Sequence, residues 1–324
     1  PAGRVTAGAG SGRDVTLFNC YVMGTIPDDM GGIFDMLKEA ALTMQQGGGI
    51  GYDFSTIRPT GAPVKGVDAD ASGPLSFMDC WDAMCRTIMS AGARRGAMMA
   101  TISDDHPDVL NFIKAKHEVG RLNMFNMSVM ASDAFMEAVI HDKDWALCHE
   151  VAPAEPVEYS RYVGGDGPLG SDARESVTMI GDKHIYEVVK ARELWNAIME
   201  NTYNHAEPGV LFIDRINKQN NLWYIEDIRS TNPCGEQPLP PYGACLLGSI
   251  NLSRMVMNPF QEEDAAIDYG SIEKTTRQAV RMLDSVIDIS NFPLEEQQKE
   301  AKYKRRMGLG ITGLADLLFM LNVK

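Results

Sequence analysis

The chain has 324 residues, of which 44% are hydrophobic and 23% charged, and a formal net charge of −14. That composition fits an ordinary soluble globular protein, long enough for one large α/β barrel. The acidic balance excludes a general nucleic-acid surface, which needs clustered Lys and Arg, and no window of about eighteen apolar residues offers a membrane span.

Pro1-Ala2-Gly3-Arg4 carries neither an initiator Met nor a signal-peptide pattern, and the chain stops on Phe319-Met320-Leu321-Asn322-Val323-Lys324 without a polar tail. Both ends are therefore expected to lie inside a longer protein. Residues 15–23, rich in branched and aromatic side chains, read as a strand. Pro27-Asp28-Asp29 then opens a helix over 30–45, with acid at the positive end of its dipole. Gly47-Gly48-Gly49 turns into a strand reaching residue 54. This glycine run precedes a strand rather than a helix, so it is not a dinucleotide-binding fingerprint.

A second helix is expected over 75–91, and residues 92–97 connect it to a strand at 98–102. Asp104 to Pro107 marks another helix start, residues 123–130 are strand-like, and a helix follows from Asp133. Residues 159–181, rich in Gly, Ser and charge, read as an irregular excursion. A helix over 188–203, a short buried strand over 208–213 and a helix over 271–289 continue the alternation. Alternating β and α elements favour an α/β architecture with a largely parallel sheet or barrel.

The six cysteines (Cys20, Cys80, Cys85, Cys148, Cys234 and Cys245) form no CxxC pair. In a sizeable chain without a signal peptide they indicate a cytoplasmic protein with a few special thiols, not a disulfide framework. Cys80 and Cys85 fall in a helical segment and read as core, as do the methionines at 98–99 and 124–130. Cys148 stands beside His149, but none of the six histidines has a partner at metal-ligand spacing, so no metal site is assigned.

Reactive groups gather at Asn232-Pro233-Cys234-Gly235-Glu236-Gln237, with Cys245 following. Pro and Gly flank Cys234, which places its thiol on a turn or loop tip. Such a thiol can act as nucleophile, redox group or radical carrier, a nearby carboxylate can move a proton, and an amide can orient hydroxyls. The bland alternative is a buried cysteine in a proline-rich turn.

Six strings resemble, in order, the catalytic subunit of ribonucleotide reductase: Leu17-Phe18-Asn19-Cys20, Gln46-Gly47-Gly48-Gly49-Ile50-Gly51, Arg94-Arg95-Gly96-Ala97, the Asn232–Gln237 run, Cys245 through Asn251-Leu252, and Arg306-Met307-Gly308-Leu309-Gly310. The Asn-Pro-Cys-Gly-Glu-Gln wording is most similar to the adenosylcobalamin-dependent class II enzymes. The resemblance implies a ten-stranded α/β barrel of two parallel five-stranded halves, with a finger loop through its centre. Residues 1–324 would then be a partial barrel domain. Residues 1–230 supply the first half with effector and specificity loops, 231–245 the finger loop, and 246–324 the start of the second half. The family's later phosphate-binding loop and C-terminal cysteine pair have no counterpart here, so a fragment is expected.

The same resemblance assigns roles. Cys234 takes the radical position, Glu236 accepts the 3′-hydroxyl proton, and Asn232 holds the ribose hydroxyls. Cys20 and Cys245 form the reducing pair that ends as a disulfide. Asp28 resembles the acid that contacts the deoxyribose of a deoxynucleoside triphosphate effector, with Arg58 and Lys65 supplying charge for its phosphates; a helix N-cap is the other reading of Asp28. Gly92, Arg94, Arg95 and Gly96 resemble the specificity loop between effector and substrate base, the alternative for the arginines being a solvated pair. The implied partners are a ribonucleotide substrate, a thioredoxin-like reductant and a second copy of the chain. Three other readings stay open: a class I subunit fed by a separate radical-generating protein, a non-catalytic nucleotide-binding module, and a thiol–disulfide oxidoreductase.

Overall fold

The structure, a computed structural model, describes residues 1–88, 96–118, 120–162, 174–261 and 264–323. Five parallel strands lie side by side in chain order: β1 (Cys20–Val22), β2 (Gly49–Asp53), β3 (Met98–Ser103), β4 (Phe125–Ala131) and β5 (Gly209–Phe212). A sixth strand, β6 (Ala244–Cys245), joins β1 antiparallel at the edge. Parallel neighbours need long crossovers. Those crossovers contain α1 (Met30–Gln45), α2 (Gly73–Thr87), α3 (Val109–Lys114), α4 (Asp133–Ile140) and α5 (Ala191–His205). Beyond β6 a second parallel pair begins, Leu247–Asn251 with Gly308–Thr312, and α6 (Tyr269–Ile289) and α7 (Glu295–Lys304) lie between them in the chain. The result is a mixed α/β half-barrel, as the alternation of elements implies. Among the described residues no helix is long and apolar enough to cross a membrane.

Side chains of a strand alternate between faces. Tyr21, Ile50, Tyr52, Met98, Ala100, Ile102, Phe125, Met127 and Val129 all belong to the main core under the helices. Trp81 of α2 closes that core, meeting Tyr52 and Phe54 edge-on at ring-centroid distances of 5.7 and 5.6 Å. Such contacts add about 0.5–1.5 kcal/mol each beyond area burial. The opposite face carries Cys20, Gly49, Gly51, Met99, Thr101, Asn126 and Ser128, and it is this face that the finger loop covers.

Several elements differ from expectation for identifiable reasons. The first strand is confined to Cys20–Val22. Just before it, the Phe18 N–H donates to Thr16 Oγ1 and the Leu17 N–H to Ser290 Oγ, so these donors are spent outside any ladder. The helix expected from residue 188 begins at Ala191, because Lys183–Lys190 is a strand paired with Asp144–His149. The excursion at 159–181 contains a short ladder between Tyr159–Tyr162 and Arg174–Val177. The second helix ends at Thr87; the rest of its expected span, from residue 89, lies outside the described residues.

One charge cluster joins the segment leading into the finger loop to the second parallel pair. Glu226, 2% exposed at its side chain, meets Lys304 at 2.7 Å and Arg306 at 2.5 Å and accepts from Asn220 Nδ2 at 2.9 Å. Burial opposes ionisation of Glu226, but these three partners outweigh it and hold the carboxyl below its ordinary value.

Candidate functional site

The finger loop lies on glycines. A Cβ at Gly51 would come within 1.9 Å of the Thr231 carbonyl oxygen, and one at Gly49 within 2.8 Å of Pro233 Cγ and 3.2 Å of Cys20 Sγ. Only a strand without side chains at these two positions lets another chain segment approach so closely. Thr101 Oγ1 adds a hydrogen bond of 3.1 Å to the Arg229 carbonyl, anchoring the loop's entry to β3.

Asn232 shapes the tip. Its N–H donates to the Gln237 carbonyl at 3.1 Å, and its Oδ1 accepts from the Gln237 N–H at 2.9 Å. The Gly235 N–H closes a turn on the Asn232 carbonyl at 3.0 Å, with Gly235 at φ +80°. Asn232 is fully buried, and its Nδ2 has no partner among the described residues. An unmet buried donor costs about 1–3 kcal/mol, so this amide has capacity for one further acceptor. Cys234 and Glu236 are exposed at the tip.

Cys20 and Cys245 are directly opposite each other in the β1–β6 ladder. Opposed antiparallel residues have Cα atoms about 4.5–5.5 Å apart, inside the range of about 4.4–6.8 Å that a disulfide spans. Both are buried, in a small cluster with Val22 and Leu239 that is separate from the main core. Burial pushes the Cys245 thiol well above its ordinary value, and the neighbouring Cys20, Glu236 and Cys234 push it the same way. Cys245 is therefore held as a neutral thiol. The structure thus brings Cys20, Asn232, Cys234, Glu236 and Cys245 to one corner of the sheet.

Asp28, Arg58 and Lys65 lie elsewhere, lining a cavity of about 460 Å³ with apolar walls from Met30, Ile33 and Phe77. That volume falls in the range of small-ligand pockets. Asp29, not Asp28, caps α1, its Oδ1 accepting the Gly32 N–H at 2.9 Å. Asp28 instead receives Arg58: the Arg58 N–H reaches Oδ1 and Nε reaches Oδ2, each at 2.9 Å. Arg58 Nη1 also donates to the Pro63 carbonyl at 3.0 Å. Of the two cations expected to meet phosphates, Arg58 is bound to Asp28 and Lys65 has no comparable clasp among the described residues.

Gly92, Arg94 and Arg95 lie outside the described residues. Gly96 is described, and a Cβ there would fall 2.2 Å from Met44 Cε and 2.5 Å from Cys85 Sγ, so its glycine is a packing requirement. Cys85 is core as expected, its thiol pushed up to about 11 by burial. No group of three metal-ligating side chains occurs among the described residues. Cys148 instead packs in a small apolar cluster with Ala146 and Ile185, while His149 belongs to a buried polar patch and meets His106 at a ring-centroid distance of 5.5 Å. Sequence reasoning missed Asn126 and Glu226, whose side chains both act on the finger loop or its approach. For Asn126 a signal existed, a polar residue in step with Gly49, Gly51 and Thr101 on the face away from the core.

Residues 18–324 match the family model for the ribonucleotide reductase barrel domain. Vitamin B12-dependent ribonucleoside-diphosphate reductases of Thermoplasma acidophilum and Mycobacterium tuberculosis are each 37% identical, over 94% and 97% of this chain. The ribonucleoside-diphosphate reductase large subunit of vaccinia virus is 28% identical over 97% of it. The chain spans 35% of the Thermoplasma protein's length and 40% of each of the other two. By a match that runs through nearly every element described above, the chain belongs to the ribonucleotide reductase family, within its barrel domain.

Proposed function

We propose that this chain is the catalytic barrel of a ribonucleotide reductase that converts ribonucleotides to 2′-deoxyribonucleotides by thiyl-radical chemistry. The observation that carries the reading is the Cys20–Cys245 register beside the turn that presents Cys234. An S–H bond is comparable in strength to the ribose 3′ C–H bond, so a Cys234 thiyl takes the 3′ hydrogen reversibly. Glu236, exposed at the same tip, accepts the 3′-hydroxyl proton. Asn232 offers its spare Nδ2–H to a ribose hydroxyl and fixes register. Cys245, kept neutral by burial, suits donation of the proton that leaves with the 2′ oxygen as water. Cys20 supplies the hydrogen that replaces the hydroxyl on the 2′ carbon, the pair gives up two electrons and ends as a disulfide, Glu236 returns its proton to the 3′ oxygen, and Cys234 returns the hydrogen to the 3′ carbon. A thioredoxin-like dithiol resets the pair.

The 37% identity to B12-dependent relatives supports adenosylcobalamin as the radical source over a separate radical-generating protein. Cys234 fits such a source, since it is exposed on a turn that a corrinoid can approach, and residues 234–236 are the surface it would meet. When bound, the cofactor supplies the initiating radical. The Asp28–Arg58–Lys65 cavity fits a deoxynucleoside triphosphate effector, with Lys65 facing phosphate. We place the first half-barrel at 1–230, the finger loop at 231–245 and the start of the second half at 246–324, in a cytoplasmic homodimer. A non-catalytic nucleotide-binding role would use the cavity alone and leave the thiol register without purpose.

The test is deoxyribonucleotide formation by the protein expressed from its whole gene, with dithiothreitol, with and without adenosylcobalamin. Product only with the cofactor is expected. Product in its absence would move the protein to another radical source, and none under either condition or with a radical-generating partner would leave a nucleotide-binding chain.

A further inference from the structure

Asn126 takes no part in the chemistry above, yet it touches the loop that performs it. It stands on the inner face of β4 and is exposed, between the buried Phe125 and Met127. Asn is disfavoured in strands, so its presence in the middle of a sheet asks for a specific contact. That contact is a hydrogen bond of 2.5 Å from Asn126 Nδ2 to the carbonyl oxygen of Pro233. The Pro233 carbonyl and the Cys234 N–H belong to one planar unit that ends at the Cα of Cys234. Holding the oxygen therefore orients the plane on one side of that Cα. The plane on the other side is held by the Gly235 N–H, which donates to the Asn232 carbonyl at 3.0 Å. With both planes fixed, the Cα–Cβ direction of Cys234 is fixed too, and only its side-chain rotation is left.

We propose that Asn126 is a positioning residue that sets the direction in which the Cys234 thiol leaves the finger loop. Its catalytic consequence rests on the reductase reading; its geometric content does not. An apolar residue here would leave the Pro233 carbonyl without this donor and let the first plane rotate. Misplacement of a reacting atom by about 1 Å can cost roughly 100-fold in rate.

The experiment uses the whole protein labelled with ¹⁵N-cysteine, in which the Cys234 amide signal is identified by its loss from Cys234→Ser. Asn126→Ala and the near-isosteric Asn126→Asp should shift or broaden that signal while leaving Cys80 and Cys148 in place. In turnover assays kcat should fall roughly 100-fold, with KM for the ribonucleotide and affinity for the effector unchanged. An unmoved Cys234 signal in both variants overturns the positioning role whatever the activity. A displaced signal with undiminished kcat also overturns it, while leaving the reductase reading in place. Full turnover by Cys234→Ser would instead remove the reductase reading, an outcome separate from anything the amide signal reports.

Discussion

One face of the parallel sheet is filled with large apolar side chains, and the other is nearly bare. Under the helices, β2 presents Ile50 and Tyr52, and on the finger side the same strand presents Gly49 and Gly51. β4 repeats the contrast with Phe125 and Met127 against Asn126 and Ser128. Alternation lets two demands share one strand: one set of residues supplies burial, and the set between them leaves room for a loop and its polar contacts. The two demands are separable because they occupy different residues, and substitutions on one face should spare the property carried by the other.

The largest effect is expected at the tip. Cys234→Ser should abolish deoxyribonucleotide formation while leaving stability within about 0.5 kcal/mol, as for an exposed substitution. Turnover assays with a denaturant titration check both halves, and retained turnover would sink the radical assignment. Trp81→Ala tests the other face: it removes a fully buried indole and should cost about 3–5 kcal/mol in the same titration. A loss under about 1 kcal/mol would mean that the helix face does not carry the fold in the way proposed. Gly51→Ala sharpens the contrast, because its new methyl meets the Thr231 carbonyl and nothing in the helix-side core. We expect turnover to fall roughly 100-fold, with a smaller loss of stability than Trp81→Ala; the reverse ranking would break the separation.

The smallest effect concerns the polar patch beyond the strand ends. Burial lowers His149 from 6.5 to about 4 and raises Asp104 from 3.8 to about 7. The stability linked to neutral His149 is present above pH 6.5 and is lost as pH falls toward 4. That linked to protonated Asp104 is present below pH 3.8 and is lost as pH rises toward 7. Between these limits the two slopes oppose. His149→Gln should leave stability falling with rising pH, and Asp104→Asn should leave it rising, as read from urea midpoints at several pH values. Two falling slopes would contradict the His149 shift, and two rising slopes the Asp104 shift.

Strand and helix identity was legible wherever branched residues or amphipathic periods ran uninterrupted, as in α1 and β3. It failed where two patterns overlapped: Val188 and Val189 suit the end of a strand and the beginning of a helix equally, and the partner strand at Asp144–His149 decided the matter. The tip at 232–237 was readable because its reactive groups are consecutive in the chain. Cys20 and Cys245 were readable only through family resemblance, since nothing local joins them. The contacts of Asn126 and Glu226 were not legible, because their partners, the Pro233 carbonyl and the Lys304–Arg306 pair, are far away in sequence. Asp28 was ambiguous for the opposite reason: an adjacent Asp29 took the cap.

The order of the elements also bears on how the molecule is made. All five parallel strands are complete by Phe212, whereas the segment that lies on their inner face begins near Arg229. On a ribosome adding about 5–20 residues per second, the scaffold is translated before the thiol-bearing loop emerges. The bare glycine track on β2 is thus a berth already formed when the loop that docks there is translated.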